Sequence, residues 1–107
     1  MNRSELVIAA ARRAGTTPES VRSVVDAIFG DAAVAGLILE ALERGERVQL
    51  SGFGTFEARR RAARVARNPH TREPIAIPAA VGAAFRPGSG MRSRMRSAPL
   101  RDDAPGR

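Results

Sequence analysis

An α+β fold is predicted by three features of the chain. Up to about residue 44 the apolar side chains recur at helical spacing, and from about residue 48 they recur at every second position. Within that second region, Arg59 to Arg67 places five arginines in nine residues on a stretch where neither face is apolar enough to be buried. The first pattern gives helices and the second an antiparallel sheet. The third gives a ribbon that must stand in solvent or lie on something else.

Asn2 or Ser4 can cap a first helix with Leu6, Ala9, Ala10 and Arg13 at 3–4 spacing and Gly15 as its stop. Thr17 is the N-cap of a second, with Pro18 in the first helical position and Val21, Val24, Val25 and Ile28 as its apolar stripe. Gly30 is a poor interior residue and Asp31 a good cap, yet Val34, Leu37, Ile38, Ala41 and Leu42 resume a stripe, so a break or kink is expected near Gly30. Gly45 closes the helical region.

Val48 and Leu50 alternate with polar neighbours as a half-buried strand. Gly52 and Gly54 permit a tight turn around Phe53. Beyond Phe56 the chain keeps a period of two through the arginines, reverses near Asn68-Pro69, and returns along Ile75-Ala76-Ile77-Pro78. Phe85 re-enters a core, Pro87-Gly88 punctuates, and residues 89–97 form a small basic helix packed by Met91 and Met95. The remainder, 97–107, reads as a disordered tail.

The 107 residues bound the chain to one domain, and 43% hydrophobic content with only four aromatics gives it a limited core that a partner subunit would complete. Residues 1–50 hold six arginines against seven carboxylates, whereas 51–107 hold twelve against four. The basic half is the half that meets a polyanion. All eighteen cations are arginine, whose planar fork grips phosphate oxygens in pairs and fits a narrow minor groove better than a lysine ammonium.

Several functional classes find no residues to support them. There is no cysteine, so neither a disulfide framework nor a thiolate metal site is available. His70 is the single histidine and has no companion ligands, and no paired acid and base, phosphate loop or metal cluster appears. We therefore expect no catalytic residues, no cofactor, no metal and no small-molecule substrate. The apolar run near the start is too short to span a bilayer and lacks the order of a secretory leader, so no membrane association and a cytoplasmic location are expected.

The order and spacing of these pieces resemble the bacterial HU and integration host factor family of histone-like DNA-bending proteins. The resemblance runs from Met1 to about Arg96. It is carried by MNRSEL, by GERVQLSGFGTFE, by the arginines of 59–67, by RNPHT, by IAIPA and by AFRPG. It implies an intertwined homodimer, or a heterodimer with a paralogue, with a helical base, an antiparallel β-sheet saddle and two protruding β-ribbon arms (about 58–76) around double-stranded DNA. Phe53, Phe56 and Phe85 would belong to the shared dimer core, and Pro69 would intercalate at each arm tip.

On this resemblance the DNA-binding residues are Arg3, Arg59, Arg61, Arg64, Arg67, Asn68, Pro69, His70, Arg72, Arg86 and Arg92. Arg60 alternates to the other face, and Asn68 can serve either as a turn former or as a reader of base edges. Phosphate contacts carry no base code, so the implied function is largely sequence-independent bending and compaction of the nucleoid. Two alternatives are a sequence-preferring bender like integration host factor and a structured-RNA or ribosome-associated protein.

The chain departs from the family pattern at three places. Arg72 occupies the position of a turn glycine, Ser89 replaces a usual lysine, with Arg86, Arg92, Arg94 and Arg96 nearby to substitute, and the second helical region is about six residues longer. An uninterrupted helix could not absorb those residues and keep its downstream face in phase.

Overall fold

Residues 1–99 are described by a computed structural model. The order is α1 (Arg3–Ala14), α2 (Pro18–Phe29), α3 (Leu37–Glu43), β1 (Val48–Leu50), β2 (Gly54–Arg61), β3 (Arg64–Arg67), β4 (Pro74–Ile77), β5 (Ala80–Pro87) and α4 (Ser89–Ser97). The chain divides into two compact units, Met1–Glu46 and the part that begins at Arg47.

In the helical unit, Asn2 caps α1 by accepting from the Glu5 amide at 2.9 Å, and Thr17 caps α2 by accepting from the Ser20 amide at 3.2 Å. Gly15 terminates α1 in the left-handed conformation. The face that α1 buries differs from the expected one. Val7 and Ala11, one helical turn apart, are 1% and 2% exposed, whereas Leu6 is 43% exposed. Leu6, Ala9, Ala10 and Arg13 instead line an open apolar groove with Met1 and Ala14. Periodicity alone cannot tell two adjacent apolar stripes apart when alanines occupy both.

The expected break at Gly30 is complete. The chain leaves α2 at Gly30 and returns at Gly36 to the same point. Gly30 and Ala35 form an isolated antiparallel bridge, and the Asp31 amide donates to the Val34 carbonyl at 2.9 Å. A Cβ on Gly30 would lie 2.6 Å from the Val34 carbonyl oxygen, and one on Gly36 would collide with the Gly30 amide. Only glycine permits this backbone-to-backbone approach. Asp31 Oδ1 accepts from the Ala33 and Val34 amides, both at 2.8 Å. Those bonds, first from Val34 and then from Ala33, hold the Asp31 carboxyl below the usual carboxylate range.

The surplus residues are thus looped out rather than wound into the helix. Val34, expected in an apolar stripe, lies in this loop at 66% exposure, and Leu37 opens α3 at 62%. Ala41 and Leu42 are buried as expected.

In the second unit, β1, β2 and β5 form a three-stranded antiparallel sheet, and β3 and β4 form a two-stranded one. Phe53 and Phe56 pack on Phe85 with ring centroids 5.3 and 4.8 Å apart. Gly54 is buried beneath that ring, where a Cβ would meet Phe85 Cζ at 2.6 Å and the Arg86 carbonyl oxygen at 2.7 Å. The Gly88 amide donates to the Phe53 carbonyl at 2.9 Å, which ties the start of α4 to the turn before β2. On α4, Met91 is half-buried and Met95 is 65% exposed. Of the segment expected to be a disordered tail, Ser97 closes α4 and residues 100–107 lie outside the described part.

Among the described residues, only Val7, Ala11, Ala41 and Leu42 are buried hydrophobics. Phe29, Phe53 and Phe85 remain 51%, 46% and 39% exposed. A chain this rich in apolar residues that buries so few of them leaves its faces for another surface.

Candidate nucleic-acid interface

The arm is one long hairpin held in a single register. β2 pairs with β5 from Gly54↔Pro87 to Arg61↔Ala80, and β3 resumes the same alignment with β4 from Arg64↔Ile77 to Arg67↔Pro74. Pairing lapses only at Ala62-Ala63 opposite Pro78-Ala79, where Pro78 has no amide proton to give.

Alternation along β2 sets Phe56, Ala58 and Arg60 on the face that holds Phe85 and sets Thr55, Glu57, Arg59 and Arg61 on the other. Opposite this second set stand Arg86, Ala84, Gly82 and Ala80, so the cations rise beside small residues. A Cβ on Gly82 would lie 3.7 Å from Arg61 Nε, which places that side chain across the neighbouring strand. Glu57, with a side chain only 17% exposed, faces two guanidinium groups, Arg59 Nη2 at 3.4 Å and Arg86 Nη2 at 3.7 Å. Nothing in the sequence pattern marked Glu57; its position was readable only once β5 was aligned with β2.

On the ribbon, Arg64 and Arg67 are three residues apart and emerge on opposite faces. Only Ala66 and Ile77 are half-buried among the eight residues of β3 and β4. Val65 stands 70% exposed. The ribbon presents cations on both faces and shelters almost nothing.

The tip is closed by Asn68. Its amide donates to the Glu73 carbonyl at 2.9 Å, and its carbonyl accepts from the Arg72 amide at 2.7 Å. Its side-chain Oδ1 accepts from the His70 amide at 2.8 Å and the Thr71 amide at 3.3 Å. Of the two roles open to Asn68, the turn engages its Oδ1, and only its side-chain amide protons are left for a ligand.

Pro69 and His70 are exposed at the apex. Arg72 follows with φ 63°, the one non-glycine residue with positive φ among the described residues. Its carbonyl is gripped by Arg67 Nη1 at 3.0 Å. Arg61, Arg64 and Arg72 form no ion pair among the described residues, and their charge is available to an outside anion.

Arg3 and Arg92 are not residues of the ribbon. Arg3 begins α1 and pairs with Asp26 at 3.0 Å, and Arg92 is exposed on α4. Among the described residues no three His, Cys, Asp or Glu groups gather as metal ligands, and no helix is long and apolar enough to cross a membrane.

A cationic two-faced ribbon with a proline apex can lie along phosphates and push an apolar ring against stacked bases. Residues 1–96 match the family model described as bacterial DNA-binding protein. The chain belongs to that family. DNA-binding protein HU of Geobacillus stearothermophilus is 43% identical over 96 residues, spanning 90% of this chain and all of that one. HU 1 of Bacillus subtilis is 41% identical over 92 residues, 86% of this chain and 94% of its own. An HU–DNA cocrystal structure from Anabaena superposes with a TM-score of 0.79 at 39% identity, covering 92% of this chain and 100% of that one. With most of both lengths covered, the arm, the turn at Asn68-Pro69 and the aromatic cluster all fall inside the part shared with HU proteins.

Proposed function

We propose that the protein is a histone-like architectural DNA-binding protein, acting as a dimer that bends double-stranded DNA with little regard to sequence. The observation that carries this reading is the exposed ribbon that presents arginines on both faces up to a proline apex. The domain spans 1–96, with its arm at about 58–76. The dimer reading rests on the apolar surface each chain leaves open, Leu6, Phe29, Phe53 and Phe85 included. It is a binding protein of the cytoplasm and nucleoid, not an enzyme, and needs no cofactor.

In this mechanism Arg59, Arg61, Arg64, Arg67 and Arg72 contact phosphates and the minor groove, Arg86 and Arg92 extend the contact, and His70 sits beside the backbone. Arg3, already paired with Asp26, contributes only by exchanging that carboxylate for a phosphate. Pro69 enters a base step. HU is an established example of this class, in which unstacking a step costs on the order of a few kcal/mol and each wedge kinks the duplex by ~20–90°, bringing more cationic surface into contact. If a dimer neutralises roughly eight phosphates, log K falls with log[salt] at a slope of about −7.

A gel shift on bent or nicked versus linear duplex, at two salt concentrations, tests the reading. Preference for the bent duplex with steep loss at high salt supports it. Equal or stronger binding to duplex RNA would support the structured-RNA reading instead, and a single protected motif in a footprint would support a sequence-preferring bender.

A further inference from the structure

We propose that the pinched loop Asp31–Ala35 is part of the subunit interface and is covered by a second copy of this chain. The inference rests on the dimer reading above and adds to it a contact made by residues that read as an insertion.

Three observations carry it. First, four of the loop's five residues, Ala32, Ala33, Val34 and Ala35, are apolar and all are exposed, while Asp31, also exposed, turns Oδ1 back onto the Ala33 and Val34 amides. Loops facing solvent are ordinarily polar, and a run of exposed apolar residues marks a contact surface. Second, the loop is continuous with the open apolar face of the helices. Phe29 and Leu37 stand at its two mouths, 51% and 62% exposed, beside Val34 at 66%. Third, the loop is already pinned at its base before any partner arrives, because Gly30 and Gly36 meet backbone to backbone and the Gly30↔Ala35 bridge closes it. Docking it therefore costs little ordering entropy.

A second copy is the occupant that this chemistry fits. The loop continues the apolar face, Phe29 included, that the dimer reading gives to a second copy, and in a two-fold pair that patch meets its own equivalent, apolar side chain against apolar side chain. A nucleic acid is excluded as occupant because the loop supplies no cation.

Sedimentation equilibrium without DNA, over a dilution series, tests this on the full chain, its Val34→Asp variant and its Val34→Ser variant. Val34 is exposed within its own chain, so helical circular dichroism at high concentration should match the parent. The dimer dissociation constant should rise on the order of 30-fold or more for Val34→Asp, since each dimer loses two buried valines and gains two carboxylates, with a smaller rise for Val34→Ser. If Val34→Asp fails to fold, Val34→Ser decides alone. A parent dimer whose dissociation constant is unchanged in the variants overturns the loop contact and leaves the dimer reading standing. Loss of only a larger assembly also overturns it. A parent chain that is monomeric throughout the series overturns both.

Discussion

Replacing Arg72 by glycine separates backbone strain from charge at one residue. At φ 63° a residue with a Cβ sits in the left-handed region at a cost of roughly 1–2 kcal/mol. Glycine escapes that cost but gives up about 0.5–1 kcal/mol through the greater freedom of its unfolded chain. The net gain at the tip is about 0.5–1 kcal/mol per arm. The Arg72 amide bond to Asn68 and the grip of Arg67 on the residue 72 carbonyl both involve backbone atoms of residue 72, so they survive the change.

The charge works in the opposite direction. Removing one phosphate-binding cation from each arm, at ~0.9 in slope each, makes the salt dependence shallower by about 1.8 for a dimer, a relative change of roughly 60-fold over a tenfold range of salt. Fluorescence anisotropy of a short labelled duplex at several salt concentrations reads the slope, and amide exchange at residues 68–73 reads the tip. Arg72→Gly should slow exchange at the tip and flatten the slope together. Unchanged exchange would refute the strain argument, and an unchanged slope would refute the phosphate contact.

Gly54→Ala should destabilise the sheet by ~1–3 kcal/mol, the usual cost of overpacking, because its Cβ would be driven into the Phe85 ring and the Arg86 carbonyl; a urea midpoint equal to the parent's would contradict this. Arg61→Ala with Arg64→Ala should flatten the salt slope by about one unit per phosphate no longer neutralised, up to roughly 3.6 for the four arginines removed from a dimer, while leaving the urea midpoint in place, since both side chains are exposed and form no ion pair among the described residues. A lowered midpoint would show that these arginines hold the fold rather than the ligand.

The capped helices, the strand after Gly45 and the reversal at Asn68-Pro69 were all legible because local chemistry decides them: Thr17-Pro18 can hardly be read as anything but a helix start. Which apolar stripe a helix buries was not legible on α1, where Leu6 and Val7 are neighbours and only packing against α2 selects Val7. The stripe through Val34 and Leu37 misled for a related reason. Periodicity resumes after Gly30, but the chain there is pinched off, and the approach of Gly36 to Gly30 is a non-local contact that spacing cannot encode. At the site, the arginines and Pro69 were visible as composition and spacing. Glu57 was not, because its two guanidinium partners come from two strands, and the engagement of Asn68 Oδ1 depends on where the His70 and Thr71 amides point.

The wedge is tested most directly by the bend it produces, read as energy transfer between dyes at the two ends of a duplex saturated with protein. The parent chain should bring the ends together, and Pro69→Ala should lose a large part of that bend while retaining most of its affinity. Equal transfer efficiencies for the two proteins at saturation would contradict the account.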